Sequence, residues 1–383
     1  MNFIALRLDE HDSSVCYSNG TSVKYYKPER HFQVKHFGYN NYQGWYYACS
    51  HLGIDISKVD AIAIVIDVFK HPYLQKENPN KLYEIIDIPY KPFRDFKCPI
   101  YRVDHHYAHS LSSWMLTDTK NHAVLDGFGD LKRSISIFKK NKLEKSFTYD
   151  QIESFGRFMG KMGYLLGLEG HVEDLAGKVM ALQSFGLEDK RWEDQIKQLN
   201  IEQSSFVFDV NNYVKLFKSE GVAKLNLINY LKTTHKFFEE KLPDFFKKYF
   251  EEDTLTYSGG VAHNVCVNTK LKNQFANIII PPHCADEGLT LGGIEFLRQH
   301  YDQPKFEVDN FPFWQTDIAP KRDASSKTIK SIAGDLANGE IIGWYQGHGE
   351  IGPRALGHRS ILMSPEVKNG KHIINKKVKH RED

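Results

Sequence analysis

Cysteine is scarce and scattered here. Cys16, Cys49, Cys98, Cys266 and Cys284 are odd in number and form no C-x-x-C pair, which argues against a disulfide framework and a zinc finger and fits a reducing compartment. An excess of one charge is also missing. Fifty Lys and Arg stand against 48 Asp and Glu, a net charge of +2, so no global field selects nucleic acid or an anionic membrane, although local patches remain open. No apolar run approaches the length of a membrane span. Met1-Asn2-Phe3-Ile4 opens straight into a strand-like run without a basic n-region or small-residue cleavage site, so the expectation is a soluble cytoplasmic protein.

What is present allows real cores. The chain has 383 residues, 41% of them hydrophobic and 13% aromatic, a length that predicts roughly two to three domains. Residues 3–8 read as a strand, the polar turn Asp9-Glu10-His11-Asp12-Ser13-Ser14 breaks it, and a second strand runs from Val15 to the hairpin signal Asn19-Gly20. A third strand over 23–26 leads toward residues 28–36; a helix near 43–53 and a buried strand over 61–67 follow. A polar turn at a strand end can meet an anion through backbone N–H groups and hydroxyls. Asp and Ser are also ordinary turn residues, so both readings of 9–14 stay open.

Helix-like patches occupy 159–166 and 175–182, and residues 187–250 look mostly helical. Aromatics over 230–250 recur at helical spacing beside lysines and read as core overlaid by lysine stems. A strand over 255–257 enters Ser258-Gly259-Gly260-Val261-Ala262-His263-Asn264 and a helix through Asn268 and Leu271. Residues 281–288 make a second such turn ahead of a helix over 289–299. Strand, polar or glycine turn, helix, in two halves of about 150 residues, predicts a duplicated α/β fold that cups a nucleotide between its lobes. Residues 301–323, with Pro304, Pro312 and Pro320, read as a linker. A helix over 329–337 and a strand over 341–346 come next. The glycine-rich run 347–360 then carries Arg354 and Arg359, whose forks suit carboxylate or phosphate.

The stretch Asp104-His105-His106-Tyr107-Ala108-His109-Ser110 is answered downstream by Leu125-Asp126-Gly127-Phe128-Gly129-Asp130. If Asp104 caps a helix running through Trp114, His105 and His109 stand one turn apart on one face and can grip one cation. Imidazoles suit zinc, iron and related transition metals, and a carboxylate such as Asp126 would complete a mixed N/O site. Two histidines four apart also arise by accident in a chain with 18 of them, so a capping or solvent-facing pair stays open on spacing alone.

Five motifs taken together resemble one family, the ATP-dependent O-carbamoyltransferases of the nodulation-factor and cephamycin type. They are His11-Asp12-Ser13-Ser14; Glu29-Arg30 through Lys35-His36; the His105/His109 pair with Asp126-Gly127-Phe128-Gly129; Gly259-Gly260-Val261-Ala262; and Gly352-Pro353-Arg354-Ala355-Leu356-Gly357 followed by Arg359-Ser360-Ile361-Leu362. Gly177-Lys178-Val179-Met180 is similar to a further family block, with departures at Ala181 and Gln183-Ser184. The resemblance implies an actin/hexokinase-like duplicated domain over 1–300, a linker over 301–323, and over 324–383 the start of a smaller α+β domain similar to a carbamoyl-adenylate synthase. Family members form carbamoyl-AMP from carbamoyl phosphate and ATP, then pass the carbamoyl group to an alcohol. By that likeness a divalent transition metal, iron being the family's usual one, would sit on His105, His109, Asp126 and Asp286, with ATP and magnesium as further cofactors. His11 becomes the candidate base, its unperturbed pKa of about 6.5 suiting proton removal near neutrality. Lys35 would stabilise charge on a carbamoyl or phosphate oxygen. Gly259, Gly260, Asn264 and Lys178 would hold nucleotide, and Arg354, Arg359, Lys379 and Arg381 would face phosphates.

Family members continue after Val378-Lys379-His380-Arg381-Glu382 into the greater part of the adenylating domain. The expectation is therefore a fragment, or a chain whose remainder is supplied by a second polypeptide, unable to adenylate alone. Two rival readings are a threonylcarbamoyl-type transferase acting on tRNA, which lacks the Gly352–Gly357 block, and a non-catalytic nucleotide-binding subunit. The acceptor hydroxyl is open among sugars, natural products and hydroxymethylated cytosine in DNA; aromatics over 39–47 and 230–250 would tolerate DNA without demonstrating it.

Overall fold

The computed structural model describes residues 1–7, 11–38, 42–66, 81–86, 96–148, 154–197, 224–250, 254–315 and 324–381. Two sheets repeat one wiring. In the first, β1 (Phe3–Arg7), β2 (Ser14–Ser18) and β3 (Val23–Tyr26) form an antiparallel meander, with β4 (Ala61–Val65) and β6 (Ile100–Val103) added parallel to β1 and β5 (Tyr83–Ile85) antiparallel at the edge. In the second, β7 (His122–Leu125), β8 (Arg133–Lys139) and β9 (Lys142–Thr148) make the meander, and β10 (Leu255–Ser258) and β11 (Ile278–Ile279) extend it parallel to β7. This is the duplicated actin/hexokinase-like α/β fold read from the sequence.

The helices are α1 (Pro28–Phe32), α2 (Tyr42–His51), α3 (His105–Leu111), α4 (Phe155–Leu165), α5 (Val172–Leu182), α6 (Lys190–Lys197), α7 (Lys224–Lys247), α8 (Val265–Gln274), α9 (Leu289–His300), α10 (Ser326–Ala337) and α11 (Gly370–Ile374). β1 and β4 are buried along their whole length, so they read as continuous apolar runs instead of alternating ones. One face of the first sheet packs Ile4, Leu6, Ile62 and Ile64 on Ala48 and Cys49 of α2; the other packs Ala5, Ala63 and Val65 on α3 and α9. The second sheet rests on α4, α5 and α7, whose stripe of Phe238, Phe245 and Phe246 is core together with Phe250 just beyond it. No described helix is long and apolar enough to cross a membrane.

Two local readings change, and one element is new. The chain after β3 forms α1, because Pro28 stands in its first turn with φ already set for a helix. α3 stops at Leu111, short of Trp114, where Ser112 Oγ and N both bond to His109 O. The proline-bearing stretch after α9, expected as a linker, packs in its described part: Phe306 is buried, Glu307 N donates to Thr21 O, and Gln315 bridges to Tyr25; residues 316–323 lie outside the described ones. The C-terminal segment pairs β12 (Ile342–Tyr345) with β13 (Arg359–Leu362). Its loop enters the main body: Ile351 joins the first-sheet core, and Gly352 lies so close to Pro282 that a Cβ would meet its carbonyl oxygen at 2.1 Å.

Candidate active site and metal centre

The carboxyl ends of β1, β6, β7 and β10 meet in one place, the crevice where open α/β sheets place their ligands. Asp104 caps α3, its side chain accepting from Tyr107 N at 3.1 Å, and Arg133 locks its other oxygen at 2.7 Å. The spacing then does what it promises. His105 Nε2 and His109 Nε2 come within 3.2 Å of one another, and Asp126 Oδ2 lies 3.0 and 3.2 Å from them. Asp286 Oδ1, from the turn before α9, lies 3.3 Å from both. The remaining carboxylate oxygens are held from behind. Asp126 Oδ1 accepts from Gly127 N (2.7 Å) and Gly260 N (3.3 Å), and Asp286 Oδ2 from Arg7 at 3.0 Å.

Two imidazole nitrogens aimed at each other and at two carboxylate oxygens, all four within 4.8 Å, form a donor set for a transition ion of the zinc, iron or manganese kind. Burial works to lower the pKa of His105, but the charge of Asp286 and hydrogen bonds to both carboxylates carry it well above 6.5. Asp126 is driven the other way: burial opposes its ionisation, and His105 and His109 override it. Cation-attracting potential is therefore concentrated where the four donors point.

A second cluster lies beside the first. His11 Nδ1 is 2.9 Å from Asp12 Oδ2 and His11 Nε2 is 3.7 Å from Glu173. His36 bridges Asp12 (3.4 Å) and Asp174 (3.2 Å) and stacks on His171 at 4.7 Å between ring centroids. Lys27, 1% exposed, reaches Asp12 at 2.9 Å and Glu29 at 3.3 Å. Burial acts to lower the His11 pKa, yet the Asp12 hydrogen bond, with Asp286 and Glu173, raises it to about 9; His36 reaches about 9 similarly, through Asp12 and Asp174. Free of substrate and of a metal ion, His11 is thus held toward its imidazolium form at neutral pH.

The other expected residues are placed as follows. Lys35 pairs with Asp174 and keeps its side chain 63% exposed. Lys178 donates to Glu169 O in the turn before α5. Gly259 adopts φ 93°, and a Cβ there would lie 2.1 Å from Leu125 O, so only glycine fits. Its amide donates to Cys284 O and that of Gly260 to Asp126, so both brace the neighbourhood of Asp126 and Asp286. Asn264 caps α8 through Val267 N and touches His235. Arg359 is engaged by Glu350 at 2.8 Å and by Gly352 O at 2.9 Å, holding the Gly352–Gly357 loop. Arg354 acts electrostatically on His263. Lys379, its pKa lowered by burial and then by Arg381, Lys35 and Arg359, shows that four of the expected cations gather. Sequence reasoning passed over Arg7, Lys27, Glu173 and Asp174. A lone Arg inside the apolar β1 was the visible signal for the first; the other three carried none.

A duplicated actin/hexokinase-like α/β fold with two histidines and two aspartates converging at its strand ends defines the class. Residues 4–294 match the family model described as the carbamoyltransferase N-terminus and residues 333–383 that of the carbamoyltransferase C-terminus; this chain belongs to the carbamoyltransferase family. Nodulation protein NolNO of Sinorhizobium fredii is 24% identical across 97% of this chain and 61% of its own length. The 3'-hydroxymethylcephem-O-carbamoyltransferase of Amycolatopsis lactamdurans is 30% identical over 35% of this chain and 27% of its own. An uncharacterized protein of Methanocaldococcus jannaschii is 29% identical over 72% and 58%. The chain thus spans less than two thirds of the length of these curated relatives. Among solved structures, HypF from T. kodakarensis superimposes with TM-score 0.53 at 13% identity, over 79% of this chain and 48% of that one. Full-length HypF in its phosphate- and nucleotide-bound form gives 0.51 at 14%, over 80% and 56%.

Proposed function

We propose that this protein works in the cytoplasm as an O-carbamoyltransferase, moving a carbamoyl group drawn from carbamoyl phosphate, through carbamoyl-AMP, to an acceptor hydroxyl. The observation that carries the reading is the convergence of His105, His109, Asp126 and Asp286 beside the His11–Asp12 cluster in a member of this family. Those four residues would hold a divalent ion of the iron type, which supplies Lewis-acid polarisation of a carbamoyl oxygen when bound. In the transfer step the acceptor oxygen bonds to the carbamoyl carbon, the bond from that carbon to the adenylate oxygen breaks, and AMP leaves. The acceptor proton passes to His11, which must first be neutral; Asp12 orients the ring through Nδ1 and steadies the imidazolium formed. The nucleotide lies over the turn 259–264. Lys35, Arg359, Lys379 and Arg381, with Arg354 nearby, face phosphate oxygens, for which clustered cations are suited. Lys178, bound to its own turn, has the least direct part.

Residues 1–300 carry the transfer, and residues 324–383, which overlap the match to the carbamoyltransferase C-terminus, belong to an adenylating unit. The acceptor hydroxyl is one on a sugar, on another natural product or on hydroxymethylated cytosine in DNA. The test is an acceptor screen with labelled carbamoyl-AMP, comparing small alcohols with hydroxymethylated DNA. Label appearing on no hydroxyl acceptor while carbamoyl-AMP is bound would defeat the proposal.

A further inference from the structure

A buried chain of polar groups runs under the turn 259–264 from a helix that the transfer chemistry does not use. On α7, His235 is fully buried and its Nδ1 lies 2.6 Å from Glu239 Oε1, one helical turn on. Its Nε2 lies 2.8 Å from Asn264 Nδ2. Asn264 Oδ1 is occupied as the cap of α8, accepting from Val267 N at 3.2 Å. That fixes the protons. The cap requires the oxygen of Asn264 to face Val267, so its NH2 faces His235, and Nε2 must accept; Nδ1 then carries the hydrogen and donates to Glu239. Each member holds the next in one orientation. Asn268 closes the turn from the other side by donating to Ala262 O at 2.7 Å. The same turn supplies Gly260 N to Asp126, and Val261 packs beside Gly156 at the start of α4.

We propose that His235 is a positioning residue for the nucleotide turn: by accepting from Asn264 and donating to Glu239 it fixes the path of residues 259–264, and through Gly260 the orientation of Asp126. The inference rests on the reading that this turn floors the nucleotide. Packing alone does not require a histidine in this place. Phe155 and Phe238 stack on each other at 3.7 Å beside the imidazole, so an apolar side chain would suit the volume and leave the Asn264 amide buried with no acceptor.

The experiment compares two substitutions in the full chain. His235→Gln offers an oxygen near the place of Nε2 and keeps the acceptor for Asn264; His235→Asn reaches only the place of Nδ1 and loses it. Amide hydrogen exchange over 259–268 and titration with ATP are measured in both and in the wild type. With the Asn264 amide unsatisfied, His235→Asn is expected to exchange faster across 259–268 and to bind ATP roughly tenfold more weakly, and His235→Gln to stay within about threefold of wild type. Asn264→Ser, which keeps a cap acceptor but cannot reach His235, serves if His235→Asn does not fold, and should reproduce its faster exchange. Equal behaviour of the two His235 variants, or wild-type exchange in Asn264→Ser, overturns the assignment. Failure of the wild type to bind ATP would defeat the nucleotide reading, while the exchange comparison still decides the role of His235.

Discussion

The candidate metal ligands arrive from three elements, and one missing methyl group sets the distance between two of these. His105 and His109 ride on α3, Asp126 follows β7, and Asp286 sits in the turn before α9. The helices touch where Gly292 of α9 meets Ala108 of α3, between the two histidines. A Cβ on Gly292 would lie 1.8 Å from Ala108 O and 2.6 Å from its carbonyl carbon, whereas ordinary contact begins at 3.4 Å. Both partners are backbone, so no rotamer change relieves the clash. In Gly292→Ala the helices must part by about 1.6 Å, and overpacking of this kind costs roughly 1–3 kcal/mol, with backbone on both sides placing it at the upper end. Metal–ligand distances tolerate only about 0.2 Å, so separation of the histidines from Asp286 is expected to weaken metal binding by roughly 100-fold, the upper range for disturbed ligand support. Titration of the chelator-stripped protein with Fe(II) or Zn(II), alongside thermal melting, measures both effects. Gly177→Ala on α5, where nothing lies within 4 Å of the new Cβ, is the control and should be neutral or stabilise by about 0.5–1 kcal/mol. Wild-type metal affinity and melting temperature in Gly292→Ala would refute the argument.

Other outcomes follow from the same geometry. The His105→Ala, His109→Ala double variant should lose its metal by elemental analysis, and unchanged content would remove the site. His11→Ala should keep metal and lose transfer by on the order of a hundredfold; wild-type turnover would take His11 out of the mechanism. Because the His11 pKa is raised to about 9, transfer from preformed carbamoyl-AMP should rise with pH and level off above about 9. The linked stability runs the other way. The stabilisation that His11 gains as an imidazolium is fully present below 6.5, its ordinary value, and is lost as pH rises through about 9; a flat rate between pH 7 and 9 would contradict the role.

Much of the fold was legible because its signals are local. The apolar runs of β1 and β4, the Asn19-Gly20 hairpin and the Asp104 cap each act within a few residues. Asn19 Oδ1 accepts from Thr21 N and Ser22 N, and Gly20 takes φ 96°. The departures arose where a tertiary contact decides the outcome. Nothing in the run after His300 says that Phe306 will be buried against the first sheet. Nor does the heptapeptide containing His105 and His109 say that Ser112 will turn the chain. Gly292 lies within the helix read over 289–299, and what it does there depends on Ala108 standing against it.

The site divides along the same line. His105, His109 and Asp126 belong to two short motifs and could be read together; Asp286, from a distant turn, entered through family likeness alone. The supporting charges were harder to see because a buried cation has meaning only through its partners. Arg7 interrupts an apolar strand, a costly placement unless an anion waits at its end; Asp286, 279 residues away, is that anion. Lys27 does the same for Asp12 and Glu29. Removing Arg7 would leave Asp286 to His105 and His109, and removing Lys27 would leave Asp12 to His11 and His36 and Glu29 to Arg30, so each loss weakens a shared network. Arg7 directs its charge at a candidate metal ligand, whereas Lys27 directs its charge at the carboxylate that holds His11. His105 and Arg7 favour the ionised form of Asp286, and Lys27 with His11 and His36 that of Asp12, so two acidic clusters stand ionised side by side, the first the candidate metal centre and the second the partner of the His11 proton.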